Sequence, residues 1–253
     1  MEKINYIIAT YPGITQQRLY YDYSNAVEKQ LKILQHIFKQ KKEMGINSLI
    51  KQITIMVTKC KNEHLNVENY YKFDEWKLLF DEDVKIIFQD YIGSNNYYSY
   101  DQWIQGIIKN WDEYTHHIII EDDYCIEKSL IDFDIQLINI YKNKFKDNIG
   151  YLASRTSSSS NRPYHACVSN GIISTDTMKK LIDPLALFYK KYNNTVEAQV
   201  VFSCIFTDEN IPLENYGEYF RIPFWRSHTK TLEDLSLIPN IKQACFIPVQ
   251  ELN

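Results

Sequence analysis

Through residues 4–120, short β-branched runs are interleaved with apolar residues at helical spacing, and this alternation narrows the fold more than any other feature. Residues 4–9 (INYIIA) form a short β-branched run that ends at the turn Pro12-Gly13, which by length and flanks reads as a buried strand. Across residues 22–44, Val27, Leu31, Leu34, Ile37 and Phe38 recur with helical period, and Gly45 stands where a helix closes. Residues 53–57 and 84–88 give two more strands. Residues 100–111 carry a helical stripe of Trp103, Ile104, Ile107, Ile108 and Trp111, and residues 117–120 give a fourth strand. Strand–helix–strand order of this kind predicts an α/β protein with a mostly parallel central sheet and helices on both faces.

The second half is patterned differently. Residues 149–153 predict a strand, followed by a polar loop through Ser157–Ser160 and Asn161. Residues 178–192 predict a helix despite Pro184, residues 196–206 another, and the Pro-punctuated tail from Arg221 reads as irregular. No repeat or linker is visible, so residues 1–253 are expected to form one domain.

Composition excludes several classes of function. Lys and Arg number 28 against 32 Asp and Glu, a net charge of −4, so no surplus of cations is available to neutralise nucleic-acid phosphates. The lysine runs at 39–42 and 142–146 read as solvated helix faces. With only 7 glycines, the chain contains neither GxGxxG nor GxxxxGK[ST]. The cysteines, Cys60, Cys125, Cys167, Cys204 and Cys245, are odd in number and form no CxxC, which favours reduced thiols and a cytoplasmic setting. No apolar run approaches the ~20 residues needed to span a bilayer. The sequence carries no signal of oligomeric state.

The chemistry concentrates in IIIEDDY, where Glu121, Asp122 and Asp123 directly follow a buried strand. In open α/β sheets, ligands bind beyond the carboxyl ends of the strands. Three adjacent carboxylates repel one another unless a cation lies among them, and hard oxygen ligands suit Mg²⁺ or Mn²⁺. The competing reading is a solvated strand-to-helix loop whose acids cap the next helix.

The IIATYPG strand-turn, the helix SYDQWIQGIIKNWDEY and the segment HHIIIEDDY together resemble a GT-A fold glycosyltransferase of the family-2-like type, in particular glycosyltransferases of large DNA viruses. The resemblance implies a nucleotide-binding half at about 1–124 and an acceptor-side half at about 125–253. It implies Asp123 as the direct metal ligand, with Glu121 or Asp122 reaching the ribose or a metal-bound water, and His228 as a late ligand to the same Mn²⁺ or Mg²⁺. Thr10 and Tyr11 would contact the nucleotide, as would Ser99 and Tyr100 at the start of the helix before the acids. Lys59 stands where relatives often carry an Asp that binds uracil. Asn170 and Gly171, in YHACVSNGIIS, would line the donor sugar. Glu197, opening VEAQVVFS, would be the catalytic base, although Ala198 stands where relatives often have an Asp. His116 and His117 read as the polar entry to the fourth strand.

The expected activity is therefore transfer of a sugar from a nucleotide diphosphate donor, UDP-linked by the resemblance, to a glycan hydroxyl with inversion. A sugar nucleotidyltransferase and a non-catalytic nucleotide-sugar-binding module are the competing readings. The first would want a Gly-rich, Arg-containing loop where this chain has TYPGITQQR.

Overall fold

The computed structural model describes residues 2–10, 26–58, 71–81, 83–91, 99–122, 124–153, 155–159, 162–167, 170–192, 198–216 and 246–248. In chain order the elements are β1 (Ile4–Thr10), α1 (Ala26–Glu43), β2 (Ile50–Val57), α2 (Phe73–Lys77), β3 (Lys85–Asp90), α3 (Ser99–Ile108), β4 (His116–Glu121), β5 (Tyr124–Ile126), α4 (Phe133–Lys144), β6 (Tyr151–Ala153), β7 (Arg155–Ser159), β8 (Arg162–Cys167), β9 (Gly171–Ser174), α5 (Thr175–Tyr192), α6 (Ala198–Asp208), β10 (Leu213–Asn215) and β11 (Phe246–Pro248).

A seven-stranded sheet runs in the order β10-β6-β9-β4-β1-β2-β3. Only β9 runs against the others, pairing antiparallel with both β4 and β6. From β1 the chain winds outward through β2 to the edge strand β3, then crosses over α3 to lay β4 on the other side of β1. The strand order therefore reverses between β1 and β4. Their register carries Ile4 beside His116 and Ala9 beside Glu121, so both strands end at the same level.

Period-two alternation divides the core into two layers. Ile4, Tyr6 and Ile8 of β1, with Ile53 and Ile55 of β2 and Ile118 and Ile120 of β4, pack against Val27, Leu31, Leu34 and Ile37 of α1 and Phe133 and Leu137 of α4. Ile7, Ala9, Met56 and Ile119 face the opposite way, toward Trp103 and Ile107 of α3, Met178 and Leu181 of α5, and Phe202 and Phe206 of α6. Covered on both sides, β1 is buried along its whole length.

α3 lies close to the sheet because residue 106 is glycine. A Cβ there would meet Met56 Sδ at 3.0 Å and Ile7 Cγ2 at 3.1 Å. Beyond its carboxyl end, Asn110 accepts from Gln52 at 2.9 Å and donates to the Gly106 carbonyl at 2.7 Å. That seat fixes where the amino end of α3 arrives.

Several expectations are revised. Residues 155–159 and 162–167 form an antiparallel hairpin, where a polar loop was expected. Residues 246–248 pair antiparallel with β5, so the tail is not irregular throughout. Lys41 does not belong to a solvated face: it is buried and ion-paired with Asp134 of α4, whose carboxylate also accepts from Ser48 Oγ and the Leu49 amide. His116 and His117 are buried within β4 and are not its polar entry. α3 ends at Ile108, and Trp111 lies in the following turn with Lys179 Nζ 5.5 Å from its ring. Among the described residues, no helix is long and apolar enough to cross a membrane.

Candidate functional site

The crevice at a strand-order reversal is where open α/β sheets bind ligands, because the two flanking loops turn away from each other there. Thr10 closes β1 on one side of that point, and Glu121 closes β4 on the other. The ladder continues one step past Glu121, with the Asp122 amide donating to the Ala9 carbonyl at 3.0 Å. Across the gap, Thr10 Oγ1 donates to Asp122 Oδ2 at 2.8 Å, and Asp122 is only 2% exposed. A carboxylate that deep in the protein is not part of a solvated loop. Nor is it a helix cap, since the chain continues into β5 before α4 begins.

α3 delivers two further groups. Ser99, the first residue of the helix, donates from Oγ to Glu121 Oε1 at 2.9 Å. One turn on, Trp103 Nε1 donates to the Ile120 carbonyl at 3.1 Å and ties the helix to the last residues of β4. The amino end of α3 is thus held against the acids, and the partial positive charge of a helix amino end favours an anionic ligand such as a diphosphate. Tyr100 follows Ser99 in the first turn of α3, as expected, and its ring lies 5.2 Å from that of Trp103 and 5.7 Å from that of Phe202.

On the far side of β4, Asn170 and Gly171 enter the same neighbourhood through β9. The Asn170 amide donates to the Ile119 carbonyl at 3.0 Å, and the Asn170 carbonyl accepts from Tyr216 Oη at 3.0 Å. These bonds hold Asn170 at φ 69°, a left-handed conformation that asparagine tolerates better than most residues. Its Oδ1 is buried without a partner. Gly171 admits no side chain, because a Cβ would lie 2.1 Å from Tyr151 Oη and 2.7 Å from the Leu152 carbonyl.

At the carboxyl end of β2, Thr58 Oγ1 accepts from Gln102 Nε2 at 2.7 Å, while Gln102 Oε1 is buried and unpartnered. Nearby on α3, burial raises the carboxyl pKa of Asp101, and the hydrogen bond from Tyr91 Oη at 3.1 Å only partly offsets it. Sequence reasoning did not single out Thr58, Gln102 or Gln30. The available signal was a polar residue among apolar ones on a helical stripe: Gln30 lies three positions after Val27 and four before Leu34.

Of the expected site residues, Thr10, Ser99, Glu121 and Asp122 come together, with Asn170 and Gly171 on the adjoining strand. Tyr11, Lys59, Asp123, Glu197 and His228 lie outside the described residues. Among the described residues no three His, Cys, Asp or Glu side chains converge as a metal cluster. The donor chemistry of Glu121 and Asp122 nonetheless fits Mg²⁺ or Mn²⁺, which take oxygen ligands, commonly one or two carboxylates, and fill the remaining positions with water and substrate phosphate.

No protein-family profile matches the sequence, and no curated protein does either. Solved structures do. A glycosyltransferase involved in glycosylation of the major capsid of PBCV-1 superposes with a TM-score of 0.52 over 97% of this chain and 93% of its own, at 10% identity. The chain shares the fold of that glycosyltransferase. GlyE, a glycosyltransferase of Streptococcus pneumoniae, matches in its apo form with a TM-score of 0.56 and 13% identity, and in a second structure at 0.55 and 12%. This chain spans 98% of itself but 55% of the GlyE chain. In the shared fold, the Thr10–Asp122 contact of this chain sits at the point where the strand order reverses.

Proposed function

We propose that the chain is a cation-dependent glycosyltransferase that moves a sugar from a nucleotide diphosphate, most simply a UDP-sugar, to a hydroxyl of a glycan acceptor. The observation that carries this reading is the buried Asp122, bonded to Thr10 across the reversal point, with Ser99 of α3 engaging the neighbouring Glu121. In that arrangement the amino end of α3 receives the diphosphate. Asp123, with Asp122 and Glu121 beside it in the chain, would hold the divalent cation together with His228. Tyr11 and Lys59 contact the nucleoside, and Asn170 offers its unpartnered Oδ1 to a donor hydroxyl.

When bound, the cation supplies Lewis-acid stabilisation of the departing diphosphate. The bond from the anomeric carbon to the diphosphate oxygen breaks while the acceptor oxygen bonds to that carbon. Glu197, immediately before α6, takes the acceptor's proton, and the sugar inverts.

Calorimetric titration with UDP tests the reading directly. Binding is expected with Mn²⁺ present, and it should be lost in EDTA and in Asp123→Asn. Equally tight binding in EDTA would contradict it. Glu197→Gln should retain nucleotide and Mn²⁺ binding while turnover falls by roughly 10²–10⁴.

A further inference from the structure

Gln30 stands on the buried face of α1, and its carboxamide spans the two ends of the acid turn. Nε2 donates one hydrogen to the Glu121 carbonyl at 3.3 Å and the other to the Tyr124 carbonyl. Residues 122 and 123 lie between those two acceptors in the chain. Because both partners are carbonyl oxygens, the orientation of the amide is determined: reversed, it would set its own oxygen against two acceptors. The accounting then leaves Oε1 buried and without a partner.

A buried carbonyl in that condition costs stability, so the carboxamide is poorly matched to its surroundings as a filler of the core. What it supplies is the pair of donor bonds that fixes the shape of the turn it spans. From this geometry we infer that Gln30 is a positioning residue: it ties the backbone on both sides of Asp122 and Asp123 to α1 and so sets the span over which the two acids meet a divalent cation. Outer groups that orient metal ligands commonly govern metal affinity in this way. The inference rests on the reading of these acids as cation ligands.

The test uses the full chain, with Gln30→Met removing both donors and the orphaned carbonyl together at nearly constant volume. Three readouts are taken: thermal unfolding without metal, amide hydrogen exchange across residues 121–126, and direct titration with Mn²⁺ alone. We expect the midpoint to move by less than about 4 °C, with faster exchange confined to residues 121–126. Mn²⁺ affinity should fall about 10–100-fold. Gln30→Glu, which sets carboxylate oxygens against the same two carbonyls, should weaken Mn²⁺ binding as well.

Unchanged exchange in that segment overturns the inference, as does unchanged Mn²⁺ affinity in a variant whose parent binds the ion. A large fall in midpoint with exchange rising across the sheet makes Gln30 an ordinary core residue and overturns it too. If the parent chain binds no Mn²⁺, the cation reading fails by itself, and the exchange measurement decides whether Gln30 holds the turn.

Discussion

Thr10 is a small residue with a large share in the site's geometry. Its hydroxyl joins β1 to the acid turn, beside the backbone bond from Asp122 to Ala9, and it donates to a carboxylate shielded from water. Hydrogen bonds to charged groups in such surroundings are worth about 1.5–3 kcal/mol. Thr10→Val keeps the β-branched shape and removes the donor, so urea unfolding should show a loss of that size, with Thr10→Ser recovering most of it. Undiminished stability in the valine variant would mean that the contact contributes nothing to folding. At this scale the acids were legible in the sequence, since three carboxylates after an apolar strand have few explanations. The residues that orient them were not. Gln30 acts through one atom on a partner 91 positions away at Glu121, and beside the acids Tyr216 holds the Asn170 carbonyl from 46 positions away. No local pattern announces such contacts.

Between elements, α1 and α4 are joined by a buried ion pair. Lys41 and Asp134 are both almost fully buried, and Asp134 also accepts from Ser48 Oγ at 3.0 Å and the Leu49 amide at 2.8 Å. Asp134 thereby secures the turn that leads into β2 as well as the two helices. Removing one partner of such a pair leaves a charge stranded in the interior, at a cost of about 3–5 kcal/mol. Asp134→Ala should lower the unfolding free energy by that amount, and adding Lys41→Met should restore part of it, because the stranded cation is then gone. Two additive losses would show that the charges do not interact. The lysine's inward position was readable in principle: residue 41 follows Leu34 by seven and Ile37 by four, which keeps it on the apolar stripe of α1. The hairpin of 155–159 and 162–167 offered no such cue. Its serines show no hydrophobic alternation, and Pro163 suggests a break. The parallel strands stood out for the opposite reason, since burial on both faces makes the central ones predominantly apolar and β-branched.

Across the whole molecule, the buried histidines of β4 make stability depend on pH above the range where carboxylates act. Burial pushes His116 down to about 4, with its hydrogen bond to Asn148 and the nearby Glu2 and Asp176 offsetting part of the effect and Lys142 adding to it. Burial, with a smaller push from His116, takes His117 to about 3. Both rings are neutral in the folded chain but take up protons near pH 6.5 once it unfolds. Their contribution is complete above 6.5 and is lost as pH falls toward 4 and then 3, by up to about 1.4 kcal/mol per pH unit for each ring. Asp101, raised by burial, acts in the opposite direction. Urea midpoints should therefore fall between pH 7 and pH 5, and a flat profile over that interval would show that the rings are not kept neutral by the fold.

The placement of β1 between β2 and β4 also has a consequence for synthesis. β1 and β2 can meet soon after α1 emerges from the ribosome, but the other edge of β1 has no mate until residue 116 and its successors arrive. At roughly 5–20 residues per second, INYIIAT offers a bare apolar edge for some seconds, which is the kind of surface through which nascent chains associate. Recombinant yield is therefore expected to depend on chaperone supply and growth temperature, through the time that one strand waits for its second neighbour.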